Sequence, residues 1–409
     1  MRLRPLALGM SLSAMACSAA LAQSAGPPTI PGGATSRDLG FGAQVLVLYD
    51  NNAARSGRVV ASQRGLVSED VTITPTVDFD LTQPVGQQTL FLKGSAGYQF
   101  HRRNKILDRQ SYVVDGGATS QFGICQGTLF GSYRASQAEL QDLDPLTTSN
   151  LRDARGVGAA LQCGRPSGFG GTLSVQKTYN HNSVQRSRIS DSDTQAISLG
   201  VRYQNPTLGS FGVNYAYSSN EFPNRIIVGR PIGDGYFSES IGVSAQRSFG
   251  SRFSINLAAS RLKLKREFAP PGFPLVLNGT TYGGGVSYNI GSRIAVSANA
   301  NRSIRPSGRA GKLYDIAQGV NVAVNYRLGS RFDITLDQSF NKVISNQDTL
   351  TPLLVITNSR VKTTTASINY SQSSRLNIGL TLRHDDRQTN LPQFDYTSTT
   401  VGLRAGTTF

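Results

Sequence analysis

Three histidines are the first residues to test for chemistry, and one of them stands in the run His384-Asp385-Asp386. An imidazole beside carboxylates suits acid–base or metal chemistry. His101 and His181 have no serine or carboxylate at a catalytic spacing, and no metalloprotease or phosphate-loop motif occurs. The glycine-rich stretches 168–171 and 283–285 lack the strand-to-helix context of a phosphate loop, which indicates strand bends or tight packing. We therefore interpret 384–386 as a polar loop and predict no catalytic residue, metal or cofactor.

The N-terminus has the features of a secretion signal. Arg2 and Arg4 precede a mostly apolar stretch, and Ala20-Leu21-Ala22 fits an A-x-A cleavage site. We predict cleavage after this tripeptide. The alternative is a lipoprotein signal ending at Cys17. After the leader no apolar run approaches the roughly 18 residues that a membrane-spanning helix needs.

A short motif, Ser-Arg followed by an apolar residue, recurs about every 40 residues in the second half of the chain. Each copy opens an alternating run; in the first, Phe253, Ile255 and Leu257 share one face. A period of two with one apolar face indicates a strand. A second alternating run precedes each motif across a few turn residues, which is typical of a hairpin, whereas a propeller blade would need four strands. The motifs begin at Ser251, Ser292, Ser330 and Ser374.

The same hairpin unit can be followed back to residue 71, which gives eight short turns. With an opening strand at 41–49 and a closing strand at 401–409, the pattern predicts about eighteen strands, within a range of 16–18. An even count with short turns on one side and long loops on the other is typical of a transmembrane, antiparallel, up-and-down β-barrel. We assign 23–38 to a short periplasmic segment and 39–409 to the barrel. The predicted outer loops are 50–70, 101–110, 136–154, 180–193, 218–236, 265–280, 303–315, 341–359 and 384–397.

Composition agrees with a barrel exported to the outer membrane. Charged residues make up 16% of the chain and glycine 43 of 409 residues, which is fewer charges and more glycine than soluble domains average. The net charge is +16. Because an exported protein rarely meets nucleic acid, we expect an anionic partner instead: lipopolysaccharide phosphates outside the barrel or an acidic solute inside.

Aromatic residues flank the predicted short turns. Their repeated placement favours an aromatic ring at the periplasmic interface of an outer membrane over strand ends in a soluble sandwich. The residues are Tyr203, Tyr288, Tyr326 and Tyr370 before turns, and Phe211, Phe253 and Phe332 after them. The terminal Phe409, with alternating apolar residues behind it, resembles the C-terminal signal of outer-membrane proteins, which implies recognition by the barrel assembly machinery.

The predicted faces divide the remaining candidates between lumen and rim. Adjacent strands should bring Cys125 and Cys163 together near the periplasmic rim, where an oxidising compartment favours a disulfide. The alternative is two free, small side chains. The lumen-lining candidates are polar or charged and alternate with apolar neighbours: Asp78, Asp80, Lys93, Gln99, Gln176, Arg202, Asn299, Asn325, Asp333, Asp337, Arg383 and Arg404.

Three short stretches carry a family resemblance: residues 48–52 (LYDNN), 72–76 (TITPT) and 92–98 (LKGSAGY). They resemble the outer-membrane beta-barrel porin-2 family, whose members occur beside exopolysaccharide synthesis and export genes. The resemblance implies an exopolysaccharide channel with a periplasmic polysaccharide export protein as partner, docked on the short turns. It brings no catalytic residues. The alternatives are a general diffusion porin with anion preference and, in another class, a barrel enzyme or surface adhesin.

Overall fold

The structure is a computed structural model that describes residues 37–137, 150–225, 233–267, 276–307, 312–347, 356–373 and 375–409. The predicted leader and the segment 23–36 after it lie outside these residues. Ser374 of the fourth repeat and the middles of five predicted outer loops also lie outside.

Antiparallel strands form one sheet of eighteen, the count that the hairpin repeat predicts. In chain order they are β1 Asp38–Asp50, β2 Asp70–Val85, β3 Gln88–His101, β4 Arg109–Phe122, β5 Cys125–Gln137, β6 Leu151–Gly164, β7 Gly168–Asn182, β8 Ser192–Asn205, β9 Gly209–Phe222, β10 Asp234–Phe249, β11 Phe253–Arg266, β12 Val276–Ile290, β13 Ile294–Pro306, β14 Lys312–Leu328, β15 Phe332–Gln347, β16 Asn358–Ser371, β17 Leu376–Thr389 and β18 Tyr396–Thr408.

The sheet closes on itself because the first and last strands pair. β1 pairs with β2 on one side and with β18 on the other, in a register that joins Gly42 to Thr408 and Asp50 to Thr400. Every other strand pairs with its two neighbours in the chain. Closure leaves no strand edge with unpaired backbone groups, which is the condition for a sheet to lie in lipid. The fold is therefore a closed antiparallel β-barrel.

Glycine in the left-handed conformation explains the repeated motif. Gly250, Gly291 and Gly329 each precede the motif serine and adopt φ values of 64°, 64° and 69°. This region is easily reached only by residues without a Cβ. Each glycine therefore lets the chain reverse within a few residues, and the strand that follows begins at once.

The outward face is apolar, and aromatic rings gather at its short-turn end. Val45, Val47 and Tyr49 on β1 are 43%, 38% and 43% exposed although they lie in the middle of a strand. Such an apolar belt suits hydrocarbon rather than water. At the turns, the rings of Phe332 and Tyr370 lie 4.8 Å apart, and comparable pairs are Phe253–Tyr288 and Phe169–Tyr203.

Where the long connections are described, they contain a few helical turns. These are the helix α1 Arg58–Gln63 and 3₁₀ turns at Lys105–Leu107, Gln185–Ser190 and Pro392–Phe394. No helix within the described ranges is long and apolar enough to cross a membrane.

Several strands run further into the predicted outer loops than the sequence indicated. β17 continues to Thr389 although a loop is predicted from residue 384, and β9 continues to Phe222 although a loop is predicted from residue 218. At the opposite end the sequence predicts a short turn over 165–171, whereas β7 already begins at Gly168. The loop ends of β9 and β17 carry polar residues on both faces, so they lose the alternation on which the prediction depends, and the start of β7 is mostly glycine, which the sequence pattern assigns to a turn.

Candidate functional site in the barrel interior

Strand register determines which side chains face the interior. Tyr49 is paired with Val71 and Val401, and all three lie on the apolar outer face, so Asp50 and its partners lie on the inner face. Because residues paired in register share a face, the same assignment extends to every strand of the barrel. A barrel of this strand number encloses a space wide enough for an aqueous channel.

The structure places all twelve predicted lumen residues on the inner face. Each lies between exposed outward apolar neighbours or in register with an inward residue of the next strand. They do not form one cluster. Eight of them lie on two walls, on β2–β3 and on β13–β15, and the other four are Gln176 on β7, Arg202 on β8, Arg383 on β17 and Arg404 on β18.

One wall, on β2 to β5, is charged. Asp80, Lys93 and Asp115 lie side by side in register on three adjacent strands. The Lys93 ammonium is 2.9 Å from Asp80 Oδ2, and Arg134 Nη2 is 3.2 Å from Asp115 Oδ1. Negative and positive side chains alternate along the wall, and the Lys93 and Asp80 side chains are 44% and 45% exposed. This arrangement presents hydrated charges of both signs to a passing solute.

The wall on β11 to β16 is rich in amides. One register row crosses these strands without a charged side chain, and we call it the amide row: Asn256, Gly285, Asn299, Asn321, Ser339 and Thr363. In the ring of eighteen strands β13 lies half a turn from β4, so the amide row faces the charged wall. Side-chain amides both donate and accept hydrogen bonds, as sugar hydroxyls do.

Glycines give the amides room to lie against the wall. A Cβ built on Gly285 would be 2.3 Å from Asn299 Oδ1 and 2.8 Å from Asn256 Oδ1. Gly319 lies in the next inward row toward the outer loops. A Cβ built on it would be 2.7 Å from Asn301 Oδ1 and 2.9 Å from Asn341 Oδ1. The amides of flanking strands therefore lean over the intervening glycine, and the wall stays flat.

Buried carboxylates at the loop end hold the outer loops to the strands. Asp385 is 1% exposed and accepts hydrogen bonds from Arg383 Nε at 2.9 Å and Thr363 Oγ1 at 2.7 Å. Arg55, from the loop after β1, contacts it at 3.0 Å and also contacts Asp50 at 2.8 Å. The first outer loop is thus tied to the inside of β17, near the end of the chain.

A second carboxylate ties two other loops together. Arg266 binds both oxygens of Asp234, with Nε–Oδ1 and Nη2–Oδ2 distances of 3.0 Å. Arg225 lies 3.4 Å from the same carboxylate and donates to the Ser307 carbonyl at 3.0 Å. Burial lowers the pKa of the Arg225 guanidinium, and Asp234 acts in the opposite direction. The ring of Phe222 lies beneath that guanidinium at 4.0 Å.

A third carboxylate joins three loops. Asp191 accepts hydrogen bonds from the Asn182 backbone at 2.8 Å and from Asn224 Nδ2 at 3.0 Å, and it faces His181 Nδ1 at 2.9 Å. Asn150 in turn donates to the Asn182 side chain at 2.8 Å. The outer rim is therefore organised by carboxylates that bind across strands.

The residues of the His384-Asp385-Asp386 run do not converge. They lie within β17 rather than in a loop, so strand alternation sends Asp385 inward and the other two outward. His384 Nδ1 lies 2.9 Å from Thr399 Oγ1 on the outer face. Within the described residues no group of three or more His, Cys, Asp or Glu side chains is arranged to hold a metal ion.

The two cysteines and the terminal phenylalanine lie at the short-turn end. Cys125 and Cys163 are in register on β5 and β6, and their sulfur atoms are bonded at 2.07 Å. Phe409 follows β18; its backbone N–H donates to the Phe41 carbonyl at 2.8 Å, and its ring is 77% exposed.

Sequence reasoning missed Asn301 and Asn341, which lie beside the amide row on the wall of β11 to β16. Asn341 falls in the predicted loop 341–359, whereas β15 runs to Gln347. The spacing of Asn299 and Asn301, two residues apart, is the signal that an amide face continues. It also missed Arg55, whose partner Asp385 is 330 residues away.

Comparison of the barrel with solved structures shows the same fold. The chain is similar to OccK2 (OpdF) of Pseudomonas aeruginosa in complex with glucuronate (10% identity, TM-score 0.51), covering 93% of this chain and 100% of that one. The outer membrane protein opdK of the same organism matches at 10% identity and TM-score 0.50, covering 91% and 99%. The FrpB iron transporter of Neisseria meningitidis matches at 8% and 0.50, covering 87% of this chain and 62% of FrpB.

This chain folds as an outer-membrane β-barrel. The closed sheet, the apolar belt and the aromatic pairs at the short turns agree with the architecture of the solved barrels. No protein-family model matches the sequence, and no curated protein does.

Proposed function

We propose that the barrel is a passive outer-membrane channel for an extracellular polysaccharide leaving the cell. The amide row carries this proposal. It presents amide donors and acceptors on β11, β13 and β14, continues in the buried hydroxyls of Ser339 and Thr363, and contains no fixed charge. A hydroxylated chain can exchange one amide for the next along such a surface, so it is guided without being held by a strong ionic bond.

The short turns agree with a partner on the periplasmic side. Turns of two to four residues leave the lumen mouth unobstructed by any described domain of this chain. We propose that a periplasmic polysaccharide export protein docks there and delivers the polymer to the barrel.

A second candidate is uptake or diffusion of a sugar acid or another small anion. The charged wall favours it, because Lys93 and Arg134 offer cations to a carboxylate at the interior surface. The fold neighbour OccK2 was solved with glucuronate, which is both hydroxylated and acidic. The net charge of +16 also favours an anionic solute.

Single-channel recording tests the amide row directly. In planar bilayers we expect stable conductance and transient block by neutral malto-oligosaccharides. Asn299→Leu combined with Asn321→Leu should shorten the blocking events, whereas Gln176→Leu, on another part of the inner face, should not. Absence of conductance would instead favour a barrel enzyme or an adhesin.

Secretion by cells separates export from diffusion. Deleting the gene should abolish the secreted polymer, and the Asn299/Asn321 variant should lower its amount at equal barrel abundance. Unchanged polymer in the deletion strain would reject export. Faster entry of glucuronate than of glucose into proteoliposomes, lost in Lys93→Ala, would then support the sugar-acid channel.

A further inference from the structure

A row of three cations and one glutamine crosses the outer face of the barrel at its loop end. Arg302, Gln318, Lys342 and Arg360 lie in one register on β13, β14, β15 and β16. We call these four residues the basic row. Adjacent strands are about 4.8 Å apart, so the row forms a compact surface rather than scattered charges.

The row faces outward near the loop-side limit of the apolar belt. On β14 and β15 the outward residues next to it toward the short turns are Val320 and Phe340, which are 49% and 46% exposed. Alternation places Gln318 and Lys342 on the same face as these two. The next outward residues toward the loops are Ile304, Ile316 and Ile344, in register with one another. The long lysine and arginine side chains can reach from this apolar surface to lipid headgroups on the loop side of the membrane.

Lys342 on β15 and Arg360 on β16 lie directly opposite each other on adjacent strands. Like charges in this arrangement repel and destabilise a strand pair. Among the described residues, the outward carboxylate on the neighbouring strand is Asp386, which is in register with Lys362 rather than with either of them. Within the described part of the chain, neither Lys342 nor Arg360 has an ion pair. An anion from outside the chain would relieve this repulsion.

The opposite part of the outer face is built differently. On β6 the outward Arg155 is paired with Asp153 at 3.3 Å, and on β7 Lys177 lies over the ring of Tyr179 at 4.9 Å. Positive charge there already has a partner within the barrel. Within the described ranges, Arg302, Lys342 and Arg360 thus lack the carboxylate or aromatic partner that Arg155 and Lys177 have, as do Arg261 and Lys265, which are outward and exposed on the nearby strand β11.

We propose that the basic row binds the phosphate groups of outer-leaflet lipopolysaccharide. Lysine and arginine together suit this ligand, because arginine forks match phosphate oxygens and lysine adds a mobile charge. The acyl chains of the same molecule would lie on the apolar surface around Val320 and Phe340. The lipid would thus span the boundary that these residues define.

The test uses the full-length barrel in detergent with fluorescent bisphosphorylated lipid A as the probe. Lys342→Gln combined with Arg360→Gln should weaken binding about tenfold, which corresponds to about 1.4 kcal/mol. The control Arg155→Gln with Lys177→Gln removes the same charge from the other side and should bind like the wild type. Heat-modifiable electrophoretic migration verifies that both variants are closed barrels.

Three outcomes would overturn the proposal. They are equal binding by the Lys342/Arg360 variant, equal binding of dephosphorylated lipid A by the wild type, and full displacement of the probe by millimolar inorganic phosphate. The second would mean that only acyl chains are recognised. The third would assign the row to free phosphate rather than to a glycolipid.

Discussion

Arg55 Nη1 lies 3.0 Å from Asp385 Oδ2, so a residue near the start of the barrel neutralises a buried carboxylate near its end. Arg55 is the non-glycine residue with a positive φ, 50°, among the described residues. The loop bends sharply there and delivers the guanidinium to both Asp50 and Asp385. The relationship gives the first outer loop a defined position inside the rim.

Replacing Arg55 should release that loop. Arg55→Ala leaves two carboxylates without their shared cation, and losing one partner of a buried pair costs about 3 kcal/mol. We expect trypsin to cleave within residues 51–69 about 100-fold faster, since the open form becomes that much more populated. Arg103→Ala is the control, because its 3.4 Å pair with Glu69 is more than half exposed on both sides and contributes little. Equal cleavage of the two variants would contradict the assignment.

Two glycines on β12 provide a matched test of the amide wall. Gly285→Ala should push the Asn256 and Asn299 amides off the wall, because its Cβ meets both oxygens. We expect an open channel in which neutral oligosaccharides block several-fold more briefly. Gly283→Ala should behave like the wild type, since the nearest atom to its Cβ is an ordinary 3.7 Å away. If both variants behave alike, the role of Gly285 in positioning the amides is contradicted.

Charge selectivity should depend on Lys93. Lys93→Ala leaves Asp80 without its 2.9 Å partner and makes the interior more negative. The reversal potential in a KCl gradient should shift toward cation preference, whereas stability should change by less than about 1 kcal/mol because the pair is half exposed. Lys177→Ala removes the same charge from the outer face and should leave the potential unchanged. A similar shift in both variants would show that overall charge, not the charged wall, sets selectivity.

The Cys125–Cys163 bond should stabilise the barrel by reducing the conformational entropy of the unfolded chain. It closes a loop with a sequence separation of 38, for which the chain-entropy relation gives about 4 kcal/mol. Dithiothreitol should therefore lower the urea midpoint of the wild type in lipid vesicles. Cys125→Ser with Cys163→Ser should start from the lower midpoint and be insensitive to the reductant. A wild-type midpoint that ignores dithiothreitol would contradict this prediction.

Alternation predicts the strands and their faces because it is a local property. The runs at 253–257 and 332–336 show which side meets lipid without any knowledge of partners. Their count and the short turns then predict the closed ring. The ends of β9 and β17 were missed because both faces are polar where the strand leaves the membrane.

Contacts between distant loops cannot be obtained in this way. Asp385 looked like a loop residue beside His384, yet its partners include Arg55, 330 positions away. Nothing in the local sequence of either residue specifies the other. The amide row was only partly visible for a similar reason, since its members are brought together by register between strands rather than by spacing within one strand.

The pairing of Gly42 with Thr408 also has a kinetic consequence. No rearrangement of the first seventeen strands completes the wall, because the seam needs the last residues of the chain. Until they arrive, β1 exposes a full row of backbone donors and acceptors, which is a template for aggregation. The polypeptide must therefore be kept apart from its copies, and it should insert late and cooperatively, at a rate limited by joining its two ends.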